Sequence, residues 1–129
     1  MKVALTNAAA VGSGGFLGAL ARYGLSGLVQ RHVALSAFPF GTLAVNLLGC
    51  FAIGLLAGLA DSRQLWGPEF RLFALIGVLG GFTTFSTLGY ETFAMLRDAE
   101  LLRAAANVGM HIIGGLTLVW LGYSIAAWR

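Results

Sequence analysis

Four apolar stretches dominate this chain, and each is long enough to cross the hydrocarbon core of a bilayer, which takes about 20 helical residues. They run approximately from Val3 to Leu28, from Phe40 to Ala60, from Phe70 to Leu96 and from Leu101 to Trp128. Pro39 and Pro68 each stand just before a stretch, where a missing backbone N–H loses no helical partner. The sequence therefore predicts an all-α membrane protein in which residues 1–129 form a single domain of four transmembrane helices.

The composition agrees with a lipid environment. With 58% hydrophobic and 10% charged residues, a chain of 129 residues has too little polar surface to cover a soluble globule. The connections between the stretches are short and polar, so no soluble domain fits between them. A removable signal peptide is an alternative for the first stretch, although that run is longer than a signal sequence requires.

The basic residues are divided evenly between the two predicted faces of the membrane. The face with both termini carries Lys2, Arg63, Arg71 and Arg129, and the opposite face carries Arg22, Arg31, Arg97 and Arg103. Since the positive-inside rule favours neither orientation, we predict dual topology and pairing of opposed copies into an antiparallel dimer. The alternative is one fixed orientation, chosen by a partner or by folding.

The size of the chain also favours assembly, because four helices leave little room for an aqueous path inside one bundle. Glycine pairs at four-residue spacing provide surfaces where helices can pack closely, namely Gly14 with Gly18, Gly54 with Gly58, and Gly77 with Gly81. Cys50 has no second cysteine to pair with, and we expect it to be buried filler.

The third stretch contains a weak point for a helix. Gly80 and Gly81 are followed, after Phe82, by the β-branched pair Thr83 and Thr84. We therefore predict a break in the third helix, whose freed backbone carbonyl groups suit a cation. The alternative is a continuous helix in which the hydroxyl groups bond back to the preceding turn.

Polar side chains inside the other stretches are costly in lipid unless they face the protein interior. Thr42 and Asn46 share one helical face, and Asn107 and His111 repeat their four-residue spacing. With Ser86 and Thr87, they supply the hydrogen-bond donors that a dehydrating anion needs, and Phe85 can add its electropositive ring edge. Taken singly, each is more typical of an ordinary interhelical hydrogen bond or core aromatic. Together they indicate a halide path.

These residues resemble a known family, the Fluc or CrcB fluoride channels of microbes. The motifs are Gly14, Gly15, Gly18, Ala19, Arg22 and Tyr23; then Gly41, Thr42, Leu43, Val45, Asn46 and Gly49; then residues 80–87 and Glu91. The resemblance implies a passive fluoride-selective channel in the bacterial inner membrane, built as an antiparallel homodimer with two pathways, that exports fluoride and lowers its cytoplasmic concentration. It also implies a central structural sodium ion held by the backbone carbonyl groups of Gly80 and Thr83. Asn46 would donate to fluoride, Phe85 would present its ring edge, and Ser86 and Thr87 would continue the polar track.

The chain departs from the family pattern in two places. Leu88 stands where many members carry a second phenylalanine, and the fourth span has Asn107, His111 and Gly115 where other members often have hydroxyl side chains. His111 is thus a candidate donor whose charge changes near neutral pH, and pH-dependent conduction is a hypothesis. The alternative is a neutral histidine bonded to a neighbouring carbonyl.

Arg22 and Glu91 lie toward span ends on the same predicted face, where they either pair or act separately. We expect a structural role for Glu91, and leave Arg22 open between an anion-attracting vestibule and snorkelling. A small four-span proton-coupled exporter is the alternative function, and Glu91 is its only candidate carboxylate. An accessory subunit of a larger complex is a third interpretation. We do not expect an enzyme, because the two histidines and five acidic residues form no metal-spaced or triad-like arrangement.

Overall fold

The computed structural model of the chain describes residues 2–33, 37–63 and 66–128. Helix α1 covers Lys2–His32 and α2 covers Phe40–Arg63. Helix α3 (68–82) joins three consecutive segments, Pro68–Arg71, a π-helical Leu72–Leu79, and Gly80–Phe82. Helix α4 covers Phe85–Arg97, and α5 covers Leu101–Ala127 with a π-helical segment at Met110–Gly114. Pro68 occupies the first turn of α3, and Pro39 immediately precedes α2, as predicted.

Within the described residues, four helical spans are long and apolar enough to cross a membrane, which confirms the predicted four-span organisation. They are Lys2–His32, Phe40–Ser62, Pro68–Arg97 and Leu101–Ala127, so α3 and α4 together make the third span. An even number of spans places the two ends of the described chain on one face. Met1 and Arg129, the outer bounds of the predicted domain, lie outside the described residues.

Glycines bring α1 into close contact with α3. A Cβ atom added at Gly14 would lie 2.5 Å from the carbonyl oxygen of Phe73, and one at Gly18 would overlap the carbonyl oxygen of Val78. From the other side, a Cβ at Gly81 would lie 2.5 Å from the carbonyl oxygen of Gly15. Since real Cβ atoms do not approach backbone this closely, only glycine permits this packing.

Helix α2 packs on the C-terminal part of α5 in the same manner. A Cβ at Gly54 would overlap the carbonyl oxygen of Val119, and one at Gly58 would lie 2.8 Å from that of Tyr123. Gly122 of α5 faces the backbone of Phe51 in return. The glycine pairs predicted from the sequence are therefore confirmed as helix-packing positions.

The chain on its own buries little. Val45 and Asn107 are the largest fully buried side chains among the described residues, while Phe16, Tyr23 and Phe85 are 64%, 82% and 85% exposed. Apolar surface of this extent is compatible with lipid or with another protein surface. It follows that the four spans do not enclose a wide path by themselves.

The α1–α3 contact gives a stability prediction. Replacing Gly18 with Ala would force α1 away from α3, because the obstructing atoms are backbone and cannot rotate aside. We expect a loss of about 1–3 kcal/mol, the usual range for overpacking, measured as a lower midpoint of thermal unfolding in detergent. Gly12→Ala, on the same helix, is the control, since a Cβ there meets nothing within 4 Å. Equal destabilisation by both substitutions would contradict this account of the packing.

Candidate functional site

The third span changes conformation at Thr83 and Thr84. The dihedral angles of Thr83 are φ −85° and ψ 161°, and those of Thr84 are φ −152° and ψ 116°, so both residues are extended between α3 and α4. The hydroxyl group of Thr83 donates to the Leu79 carbonyl at 3.0 Å, which is the back-bonding expected of a continuous helix. The backbone nevertheless leaves the helix at this residue.

The side chain of Asn46 holds the extended segment. Its Oδ1 accepts from the Thr84 amide at 2.8 Å, and its Nδ2 donates to the Thr84 carbonyl at 3.0 Å. One side-chain amide thus pairs with both the amide and the carbonyl group of Thr84. Because Nδ2 carries two hydrogens, one N–H of Asn46 is left for another acceptor.

Helix α4 then begins with a side-chain cap. The Thr84 hydroxyl oxygen accepts from the Thr87 amide at 3.3 Å and lies 2.9 Å from the Thr87 hydroxyl and 3.4 Å from that of Ser86. Threonine is a favoured capping residue because its oxygen satisfies an amide that has no partner in the first turn. Ser86 and Thr87 are therefore joined to Thr84 in one hydroxyl cluster.

These bonds leave two carbonyl groups without their helical partners. In a continuous helix the Thr84 amide would bond the Gly80 carbonyl, and the Thr87 amide would bond the Thr83 carbonyl. Both amides are engaged elsewhere, by Asn46 and by the Thr84 hydroxyl. Arg22 donates to the Thr83 carbonyl through Nη1 at 3.4 Å. These two carbonyl groups are the ones that the family resemblance implies as cation ligands, and their role stays a prediction.

Two cavities meet at the extended segment. The first, of about 400 Å³, is lined by Asn46, Gly49, Cys50, Ile53, Leu75, Leu79, Gly80, Thr83, Thr84, Phe85, Leu88, His111 and Ile112. It contains three of the predicted site residues, Asn46, Phe85 and His111. Leu88 lies on its wall, so the position that departs from the family pattern is part of the same site. The cavity combines an apolar wall with a few polar groups, as ligand sites commonly do.

The second cavity, of about 420 Å³, also includes Thr84 in its lining. Its lining comprises Arg22, Tyr23, Ser26, Gly27, Thr42, Val45, Thr84 and Thr87. Thr42 donates to Oε1 of Glu91 at 2.6 Å. Arg22 and Glu91 thus bind different partners, and the pairing between them that the sequence left open is not formed. Arg22 places a positive charge in this cavity.

Asn107 and His111 lie where α5 packs against α4 and α2. Asn107 is fully buried and donates through Nδ2 to the Thr92 hydroxyl at 3.1 Å. His111 is 9% exposed, and its Nδ1 lies 2.8 Å from the Asn107 carbonyl oxygen. Only His111 of the two lines the first cavity, so Asn107 joins α5 to α4 instead of facing the site directly.

Sequence reasoning missed three residues of this site. Thr84 carries the side-chain cap and both bonds to Asn46, and the spacing of Thr84 and Thr87 before a helix was a usable capping pattern. Cys50, expected to be buried filler, is half-buried and lines the first cavity; its position four residues after Asn46 placed it on that face. Thr92, the partner of Asn107, carried no such pattern.

Taken together, the site offers side-chain donors and a positive charge along the two cavities, and released carbonyl groups at their junction. An arrangement of this kind can strip water from a small ion and replace it with protein groups.

The chain is similar to known proteins over most of its length. Residues 9–123 match the family model described as CrcB-like protein, Camphor Resistance (CrcB). The chain is 44% identical over 115 residues to the fluoride-specific ion channel FluC of Methylobacillus flagellatus, covering 89% of this chain and 90% of that protein.

Two further relatives have the same name. The fluoride-specific ion channel FluC of Geotalea uraniireducens is 48% identical over 112 residues, covering 87% of this chain and 90% of the relative. That of Geotalea daltonii is 47% identical over 116 residues, covering 90% and 93%. These names describe channels and not enzymes, and they confirm the resemblance read from the sequence. This chain, a multi-pass membrane protein, belongs to the CrcB family.

Proposed function

We propose that this protein is a passive, fluoride-selective channel of the bacterial cell membrane, which exports fluoride and lowers its cytoplasmic concentration. Fluoride as the permeant ion comes from the names of the relatives, which match the chain over most of its length. The structural observation that carries the proposal is the pair of hydrogen bonds between Asn46 and Thr84. Through them a donor side chain that lines the first cavity contacts Thr84, which lines both cavities.

The proposed path runs between the two cavities past this junction. Arg22 supplies positive charge in the second cavity, which raises the local concentration of anions. The hydroxyl cluster of Ser86, Thr87 and Thr84 and the remaining N–H of Asn46 supply donors along the path. Phe85, which lines the first cavity, presents a ring edge there. The path thus offers an anion several hydrogen-bond donors from side chains of one chain.

The proposal includes a second, antiparallel copy of the chain, so that a dimer has two pathways. Phe85 is 85% exposed in the single chain although it lines the first cavity. A second copy packed over this face would cover Phe85 and close the open side of the cavity. The even distribution of basic residues supports opposed orientations of the two copies.

A structural sodium ion at the centre of the dimer is also part of the proposal. The carbonyl groups of Gly80 and Thr83 fit this role, because both are released from helical bonding and carbonyl oxygen is a hard ligand suited to a hard cation. One chain supplies two such groups, so two chains would supply four. A bound sodium ion would stabilise the junction by neutralising four carbonyl dipoles. Within one chain the Thr83 carbonyl accepts from Arg22, a contact that a bound sodium ion would replace.

Fluoride efflux from vesicles containing the purified protein tests the proposed activity. We expect rapid fluoride release, retention of chloride, and no requirement for a proton gradient. The alternative, a proton-coupled exporter, would release its substrate only when a proton gradient is present, because it exchanges the substrate for protons. Retention of fluoride in wild-type vesicles would overturn the channel proposal.

Asn46→Asp should reduce the rate of fluoride efflux by about 100-fold or more. Two like unit charges about 4 Å apart repel by about 4 kcal/mol where the dielectric is intermediate, and the new oxygen also faces the Thr84 carbonyl. Asn7→Asp, the same chemical change in the first turns of α1, is the matched control and should retain activity. Elution of Asn46→Asp at the wild-type position in size-exclusion chromatography separates blocked flux from misfolding. Wild-type flux in a folded Asn46→Asp protein would remove Asn46 from the path.

Labelling of a C-terminal tag tests whether the chain inserts into the membrane in both orientations. A C-terminal tag should be accessible from outside spheroplasts in about half of the copies, because the basic residues favour neither orientation. Accessibility is measured by labelling before and after membrane permeabilisation. A tag found on one face only would contradict dual topology and, with it, the antiparallel homodimer.

Sodium should stabilise the protein independently of transport. A ligand that binds only the folded state at 100 times its dissociation constant contributes about 2.7 kcal/mol, which raises the unfolding midpoint by several degrees. We expect this shift in detergent when N-methylglucamine is replaced by sodium at constant chloride, and a smaller shift with potassium. An identical midpoint in all three salts would exclude a structural sodium ion.

A further inference from the structure

His111 combines burial with an unpartnered nitrogen. The residue lies in the π-helical segment of α5, is 9% exposed, and lines the first cavity with Asn46 and Phe85. Within residues 2–33, 37–63 and 66–128, three buried side-chain polar atoms lack a hydrogen-bond partner: Glu91 Oε2, Asn107 Oδ1 and His111 Nε2. A buried polar atom without a partner costs about 1–3 kcal/mol, so each requires a physical account.

The bond to Asn107 fixes which nitrogen of His111 carries hydrogen. A carbonyl oxygen only accepts, so the contact of Nδ1 with the Asn107 carbonyl at 2.8 Å places the hydrogen on Nδ1. In the neutral ring, Nε2 is then left with a lone pair and no hydrogen. Nε2 has no partner to accept from. The neutral form therefore presents an electron pair, and not a donor, at Nε2, which is itself buried in the wall of the cavity.

Protonation converts Nε2 from an acceptor into a donor. The imidazolium keeps the bond from Nδ1 to Asn107 and gains an N–H at Nε2 together with a positive charge. An anion in the cavity is the matching partner, and fluoride, as a compact anion, is a strong acceptor. The neutral ring repels the same anion through its lone pair. Because the bond from Nδ1 to the Asn107 carbonyl leaves Nε2 as the nitrogen that gains or loses a proton, the affinity of His111 for an anion depends on protonation of Nε2.

Helices α4 and α2 each bring one titratable group toward His111. The titratable groups that face it from the packed helices are Glu91 of α4, which interacts with it electrostatically, and Cys50 of α2, which lines the same cavity. The other unpartnered atoms nearby, Glu91 Oε2 and Asn107 Oδ1, are acceptors when Glu91 is ionised. The Thr83 carbonyl is bound by Arg22 of α1 and is not a partner of Nε2.

We propose that His111 is a joint proton and fluoride site, in which Nε2 takes a proton from water and the resulting N–H donates to a fluoride ion in the first cavity. The proton returns to water when fluoride leaves, so the pair forms and separates without net charge. This inference rests on the proposed fluoride channel and specifies how one of its residues binds the ion.

Fluoride efflux from vesicles with equal pH inside and outside tests the site, with leakage of hydrogen fluoride subtracted in protein-free vesicles. We expect wild-type efflux to rise about fivefold or more from pH 8 to pH 6, the range in which histidine changes charge. His111→Gln places a permanent N–H near the position of Nε2, so its efflux should be independent of pH and close to the wild-type rate at pH 6. His111→Leu has no donor, so its efflux should be low at both pH values.

His32 provides a matched control. Its Nδ1 lies 2.9 Å from the carbonyl oxygen of Leu28, four residues earlier, which repeats the bond of His111 at an exposed position. His32→Gln should keep the full pH dependence of the wild type. Equal wild-type efflux at pH 6 and pH 8, or pH dependence that persists in His111→Gln, would overturn the proposal.

Proton uptake by the wild-type protein tests whether a proton and fluoride bind together, and it does not depend on the folding of a variant. Adding sodium fluoride to the protein in weakly buffered detergent near neutral pH should remove up to about one proton per chain from solution, because the two ligands bind together. Sodium chloride should not do so. Absence of fluoride-dependent uptake would exclude the joint site. Vesicles that release no fluoride at any pH would instead refute the channel, while uptake would still report on His111.

Discussion

The two hydrogen bonds between Asn46 and Thr84 are the interaction on which the site depends. Backbone groups inside a bilayer must be satisfied within the protein, because no water is present and each unsatisfied group costs several kcal/mol. By supplying both an acceptor and a donor, Asn46 pairs with the two backbone groups of Thr84, where the third span leaves the helix. Three features of the site depend on these bonds at Thr84: the released carbonyl groups, the cap of α4 and the junction of the cavities.

The bonds between Asn46 and Thr84 in turn require that α2 lie very close to the third span. A Cβ at Gly49 would overlap the Cγ2 atom of Thr83, so the methyl group of Thr83 occupies the space that a side chain at 49 would need. Gly49 lies three residues after Asn46, on the same face of α2. The short reach of the asparagine side chain is therefore sufficient only because glycine stands beside it. The close α1–α3 contact through Gly14 and Gly18 holds the other side of the same segment.

The sequence alone predicted the spans, their number and their glycine contacts. These features depend on the length of an apolar run and the spacing of small residues, both of which can be read within one segment. Sequence reasoning also indicated a weak helix near Gly80 and Thr83, where propensity is poor, and grouped Asn46, Phe85 and His111, which line one cavity. It did not find that Asn46 bonds the backbone of Thr84 or that Thr42 bonds Glu91, since these contacts join residues 38 and 49 positions apart. Periodicity places a residue on a face of its helix, but it does not identify the partner on another helix. Helical spacing likewise placed Asn107 with His111 without revealing that only His111 reaches the cavity.

Counting donors explains why the proposed path suits an anion despite the exposed carbonyl groups beside it. The hydroxyl groups of Thr84, Ser86 and Thr87 carry three hydrogens, and the two contacts among them use two, so one hydrogen remains free. Asn46 likewise retains one N–H after bonding Thr84. The carbonyl groups of Gly80 and Thr83, by contrast, offer only acceptors. A cation at those carbonyls and an anion at the remaining donors would each find the matching partner, and their opposite charges would stabilise one another across the extended segment.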